Sequence, residues 1–147
     1  MDRQSGGRTI SDAGHPADLR GCDAVRAALA GTEIVLLTAT AAEAAPLLEV
    51  LEGQRHHVVA TKTVVIGRLC PAPGLRALVA VAGCDKANTA HVLACLLQAL
   101  DPPPALVVQV GIAGAFPRPE DDGPGLGDVV LATEEVYGDT GSSSPSG

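Results

Sequence analysis

Apolar residues fall along this chain in short uninterrupted runs, separated by alanine-rich stretches with helical spacing. Ile34-Val35-Leu36-Leu37 is rich in β-formers without polar alternation, the pattern of a strand buried on both faces. A helix is predicted over roughly 42–51, with Leu47, Leu48 and Leu51 at helical spacing and Gly53 as its stop. Val58 to Leu69 reads as one or two strands, Pro71 to Gly74 as a turn, and Leu75 to Ala82 as another strand. Gly83 to Lys86 is a loop before a helix over 87–100, whose expected core stripe is Ala90, Leu93, Ala94 and Leu97. Pro102-Pro103-Pro104 terminates it, because proline cannot continue a helix. Ala105 to Val110 is the next buried strand, followed by a glycine-bearing turn, a loop over 117–125 and a strand from Asp128 to about Tyr137. Helices alternating with short apolar strands predict an α/β fold with a largely parallel sheet.

The flanks differ. A short helix is expected over 17–30, anchored by Leu19, Val25 and Leu29, behind a loose polar tail from Met1 to Gly14. Residues 141–147 (GSSSPSG) carry no structural signal and read as disordered. The expected organisation is therefore a flexible or partly helical extension over 1–32, an α/β portion over 33–140 and a disordered tail over 141–147.

Composition narrows the function classes. The 147 residues carry 10 basic and 17 acidic side chains, a net charge of −7, and only Phe116 and Tyr137 are aromatic. Without a basic excess or stacking rings, nucleic-acid binding is disfavoured. The longest apolar stretch, Ala105 to Phe116, contains Gln109 and is shorter than the roughly 20 residues a bilayer requires, so no membrane partner is expected. Met1 to Arg8 lacks the apolar segment of a secretory leader, and Cys22, Cys70, Cys84 and Cys95 show no paired spacing. Free thiols in a reducing cytoplasm are the expectation, with no metal site and no cofactor. The adjacent His56 and His57 would face opposite sides of a strand, which suits no metal.

Four segments could carry chemistry. Thr38 to Glu43 joins a strand to a helix, the place where open α/β sheets bind ligands. Glu43 is the only ionisable side chain from Thr38 to Leu48, and small apolar surroundings would raise its pKa toward that of a useful base. Thr40-x-x-Glu43 is equally a capping box, which needs no catalysis. Pro46 weighs against Thr40 as the cap, since it would then sit past the first turn and clash with the Ala42 carbonyl. Gln109 to Phe116 opens a buried strand into a turn where glycines let a ligand reach backbone N–H groups, or simply form a tight bend. Asp85, before the second helix, reads first as an N-cap, and Cys84 beside it has no neighbouring base to make it a nucleophile. Glu134 and Glu135 alternate on the last expected strand, and one of them is expected to be merely solvated.

Taken together, IVLLTATAAEAAPLL (34–48), VAGCDKANTA (81–90) and VVQVGIAGAF…GLGDVVLATEEVYGDTG (107–141) resemble, in order, the purine nucleosidase/phosphorylase superfamily. The last block is most similar to the futalosine hydrolase branch, nucleosidases of menaquinone biosynthesis. The resemblance implies a three-layer nucleoside phosphorylase/hydrolase-like fold with a mixed, largely parallel sheet, present here as its N-terminal portion. It implies cleavage of the N-glycosidic bond of futalosine to release hypoxanthine, through an oxocarbenium-like transition state with the division of labour of an inverting glycosidase. Glu43 takes the place of the family's water-activating glutamate, which replaces the pure-cap reading. Thr40 falls where the family lines the ribose. Ile112, Ala113 and Gly114 match its nucleobase-side loop, and Phe116 is the ring available to stack on a purine. A small-molecule purine nucleoside partner and a homo-oligomer are implied.

The chain also departs from the family. Asp85 stands where members usually carry glycine. The glutamate that grips the ribose hydroxyls and the aspartate that serves the purine N7 match nothing after Asp139, which reads as a truncated enzyme with weak or no activity alone. A methylthioadenosine/adenosylhomocysteine nucleosidase, a nucleoside phosphorylase and a non-catalytic ligand-binding or interaction module are the alternatives.

Overall fold

The computed structural model describes residues 19–70, 74–116 and 123–136. The chain divides into two compact units, Met1–Ile112 and Ala113–Gly147.

In the first unit the elements run α1 (Leu19–Leu29), β1 (Ile34–Thr38), α2 (Ala41–Glu49), β2 (Leu51–Val59), β3 (Lys62–Leu69), β4 (Arg76–Val81), α3 (Lys86–Ala99) and β5 (Leu106–Gln109). The strands form one mixed sheet in the order β2-β3-β4-β1-β5. β4, β1 and β5 are parallel, and β2, β3 and β4 pair antiparallel. Strand alternation sends side chains to two apolar layers. Val35, Leu37, Val64, Ile66, Leu78 and Ala80 pack with Leu29 of α1 and with Val92 and Leu96 of α3. Leu36, Val65, Ala77 and Val79 pack with Ala44, Leu47 and Leu48 of α2 on the opposite face. The result is the expected three-layer α/β arrangement, with a core built of aliphatic side chains.

Several expectations need correction. α2 ends at Glu49, and Leu51 already begins β2. Leu51 therefore belongs to the strand, and its helical spacing from Leu47 and Leu48 reflects one shared apolar layer. Gly53 is not a helix stop. It sits in β2 at positive φ (63°), where the register against β3 slips between Glu52 and Arg55, a β-bulge. Val58–Leu69 spans the end of β2, the turn and all of β3, in a hairpin that starts seven residues earlier than expected, at Leu51. Its two turn residues, Ala60 and Thr61, both take positive φ (50° and 64°), as a two-residue hairpin turn requires, although neither is the usual glycine or asparagine. On α3 the buried seam is Val92, Leu96 and the capping Leu100, while Ala90 and Ala94 are exposed and Leu97 is 41% exposed. An alanine- and leucine-rich helix is apolar nearly all round, so spacing alone does not select its buried side.

In the second unit the described residues 113–116 and 123–136 contain no strand or helix, against the strand expected from Asp128. A strand exists through its ladder, and among the described residues none pairs with 128–136, where Glu134 and Glu135 are both exposed. The one local device there is a turn: Gly125 N–H donates to the Asp128 carboxylate (2.7 Å), Asp128 N–H donates to the Gly125 carbonyl (3.2 Å), and Gly127 takes φ of 93°. The expectations for Met1–Gly14, Tyr137 and 141–147 lie outside the described residues. Among the described residues no helix is long and apolar enough to cross a membrane.

Candidate active site

The parallel register of β1 and β5 creates the candidate site. Leu37 stands opposite Gln109, and Val110 N–H extends the ladder to the Leu37 carbonyl (2.8 Å). The chain leaving β5 at Gly111 and Ile112 therefore runs beside the junction between β1 and α2. Thr38, the last residue of β1, is fully buried, and its hydroxyl donates to the Thr40 carbonyl (3.2 Å).

Thr40 is the N-cap of α2 and forms a complete capping box. Glu43 N–H donates to Thr40 Oγ1 (3.3 Å), and Thr40 N–H donates to Glu43 Oε2 (2.8 Å). The carboxylate also accepts bonds beyond the cap. Glu43 Oε2 also accepts from Ala39 N–H (3.1 Å) and from the Thr40 hydroxyl (3.0 Å), while Oε1 accepts from Ile112 N–H (3.0 Å). Four donors from two separate chain segments thus fix one carboxylate. A Cβ built on Gly111 would lie 2.9 Å from Glu43 Oε1, so the approach of the two segments depends on the missing side chain.

These bonds correct two expectations. The Glu43 carboxyl is held below its ordinary value, not above it: the Ile112 N–H is the largest cause, followed by the Thr40 hydroxyl and backbone N–H, which outweigh partial desolvation. Donors aimed at the ionised form favour it. Pro46, which weighs against Thr40 as the cap on sequence grounds, lies inside α2 with Thr40 capping it. Ala42 and Pro46 are both exposed, so water can serve the carbonyl that proline's missing N–H leaves unpaired.

The same geometry locates the other expected site residues. Thr40, Glu43 and Ile112 come together, Ile112 through its backbone N–H, with its side chain 87% exposed. The single proton of the Thr40 hydroxyl is committed to Glu43, so toward a ribose this hydroxyl can only accept. Ala113, Gly114 and Phe116 belong to the second unit and are exposed there. Sequence reasoning missed the Ala39 N–H and the role of Gly111. The only signal for Gly111 is a glycine directly after an apolar strand.

Asp85 caps α3 as expected, accepting from Asn88 N–H (2.8 Å) and from Asn88 Nδ2 (3.1 Å). Its φ of 87° lies in the region that favours glycine, a physical reason for glycine to be usual at this place. Among the described residues no group of histidine, cysteine and carboxylate side chains could hold a metal ion.

The chain was compared with known proteins. No curated protein matches it. Among solved structures, it is similar to S-adenosylhomocysteine nucleosidase from Streptococcus pyogenes in complex with 5-methylthiotubericidin, at 25% identity and a TM-score of 0.42 over 46% of this chain and 28% of that one. It is similar to the MTA/SAH nucleosidase of Streptococcus pneumoniae in complex with 8-aminoadenine, at 23% identity and a TM-score of 0.40 over 44% and 27%. A third similar structure is the 5′-methylthioadenosine/S-adenosylhomocysteine nucleosidase of Neisseria meningitidis in complex with methylthio-immucillin-A, at 22% identity and a TM-score of 0.41 over 46% and 28%. The chain thus spans less than a third of the length of each. The phosphorylase superfamily profile matches residues 33–147, a range that contains every element from β1 to β5, and the chain belongs to that superfamily.

Proposed function

We propose that this chain carries the water-activating side of a purine nucleosidase site, of the futalosine hydrolase kind, with Glu43 as its catalytic carboxylate. The observation that carries the reading is the asymmetric load on that carboxylate. Its two oxygens offer about four lone-pair sites. Oε2 accepts three hydrogen bonds and is saturated, whereas Oε1 accepts only the one from Ile112. The second lone pair of Oε1 is the place for a water proton.

Held ionised, Glu43 orients that water and accepts its proton as the water oxygen bonds to the anomeric carbon. The bond from that carbon to the purine nitrogen breaks, its electron pair leaves with the base, and the base takes up a proton. The low basicity of Glu43 suits a late proton transfer, when the oxocarbenium-like carbon has already acidified the attacking water. Among the described residues no second acid joins the hydrogen bonds around Glu43, so the chain alone is expected to turn over slowly.

Incubation of the purified chain with futalosine, followed by chromatography for hypoxanthine, tests the reading. Slow release that Glu43→Gln lowers by about 10²–10⁴-fold is expected. Faster release of adenine from methylthioadenosine would overturn the futalosine assignment, and release that requires phosphate would overturn hydrolysis. No release from any of these nucleosides would overturn the enzymatic reading.

A further inference from the structure

At the other end of the strands the same sheet forms a second cleft, of about 380 Å³, lined by Glu52, Gly53, Arg55, Gly67, Arg68 and Arg76 with Ile66 at its floor. The pairing register explains the clustering. Arg68 stands directly opposite Arg76 across β3 and β4, and Glu52 opposite Arg68 across β2 and β3. Arg55 faces Ile66, two residues from Arg68 and on the same side of the sheet. Arg76 opens β4 beside Glu33, whereas Glu43 follows the far end of β1, so about 16 Å of strand separates the cleft from the candidate active site.

Three of the chain's ten basic residues therefore surround one cavity in a molecule of net charge −7, against a single carboxylate among the described residues of the lining. Like charges directly opposite on neighbouring strands destabilise a sheet. Two carboxylates stand nearby and keep their charge while bonded to neutral donors: Glu33 accepts from the Arg76 backbone N–H (2.9 Å), and Glu52 accepts from the Cys70 thiol, which pushes that thiol's pKa up. Arg68 donates to the Gly74 carbonyl and Arg76 to the Ala28 carbonyl (2.7 Å each). Those bonds fix both guanidinium groups without neutralising them, and the buried Arg76 Nε has no acceptor at all among the described residues. Beside the Gly53 bulge β2 and β3 run close together, since a Cβ at Gly67 would lie 2.6 Å from the Glu52 carbonyl.

We propose that this arginine cleft binds a small phosphate-class dianion, as free phosphate or as a phosphomonoester. Guanidinium forks match phosphate oxygens pairwise, and the volume suits a compact ligand at the small end of ordinary pockets. Calorimetric titration of the chain with inorganic phosphate, and separately with ribose 5-phosphate, at low ionic strength tests the site. Saturable one-site binding is expected, weakened about tenfold or more by Arg55→Ala and by Arg68→Ala. Arg55 is exposed and its side chain donates no hydrogen bond among the described residues, so its variant keeps the fold, which circular dichroism checks. Lys62→Ala removes the same charge elsewhere on β3 and is expected to leave binding unchanged. Tighter binding of ribose 5-phosphate identifies a phosphomonoester ligand, and equal binding identifies free phosphate. An equal loss in Lys62→Ala, or the absence of saturable heat with either probe, would overturn the proposal.

Discussion

Two helices in this fold follow parallel strands, and an acidic side chain serves the start of each, Asp85 as the N-cap of α3 and Glu43 from the first turn of α2. At α3 the cap is self-contained: Asp85 serves the N–H and side chain of Asn88, three residues on. At α2 the capping carboxylate also reaches Ala39 behind it and Ile112 from another strand. A cap needs only the first kind of bond. The additional, long-range bond at Glu43 separates a helix start that is merely stable from one that positions a charge, although both look alike as short sequence motifs.

The largest effect that tests this contrast is on turnover. Glu43→Gln is expected to lower nucleosidase activity by about 10²–10⁴-fold, while Asp85→Asn stays within about twofold because a cap of comparable strength remains. Equal losses in the two would erase the distinction. Gly111→Ala comes next. Its new Cβ would displace the end of the Glu43 side chain, and misplacement by about 1 Å costs on the order of 10²-fold in rate. Urea unfolding should barely change, since a flexible side-chain tip absorbs the clash.

Thr40→Ala removes one half of the capping box and should cost about 1 kcal/mol in the same unfolding measurement. Asp85→Gly should do the opposite. Glycine at an N-cap loses only a few tenths of a kcal/mol, and it relieves a backbone at φ 87° that costs a non-glycine residue about 1 kcal/mol or more. A modest net stabilisation is expected, and clear destabilisation would show that the Asn88 contacts matter more than the backbone. The smallest effect is on pH dependence. Glu43 has a folded pKa below its ordinary value of 4.5, so its contribution is complete above that value and is lost as pH falls through the folded pKa. Acid unfolding of Glu43→Gln should therefore be flatter below about pH 4.5, and a superimposable profile would remove the carboxylate's part in stability.

Elements that were legible from the chain are those whose residues face apolar layers on both sides. Ile34–Thr38 and Arg76–Val81 stand within two residues of the apolar runs that announce them. Leu106–Gln109 is the exception: its run locates it, but it is an edge strand with Leu106, Val107 and Gln109 exposed, not the buried strand expected. β2 was hidden for the opposite reason. At the sheet edge, Glu52 to His56 are exposed, so the segment carries few apolar residues by which to recognise a strand. Its turn was hidden too, because Ala60 and Thr61 are not residues that usually accept positive φ. In the candidate site, Thr40 and Glu43 were readable as a pair because capping is local. The Ile112 N–H was not, since a backbone donor 69 residues away has no side-chain signature. The direction of the Glu43 shift followed from that unreadable bond, which is why composition alone pointed the wrong way.

The strand order has a consequence for the order of events during synthesis. The β2–β3 hairpin closes through the neighbours Val59 and Lys62, whereas Ile34 of β1 must find both Ala77 and Leu106. Hairpins form in microseconds. At about 5–20 residues per second, Leu106 is made roughly 4–14 s after Ile34. For that interval β1 has at least one unpaired edge along its apolar Ile34–Leu37 run. Among the described pairings, the edge of β1 that leads to the Glu43 junction thus waits longest for its partner.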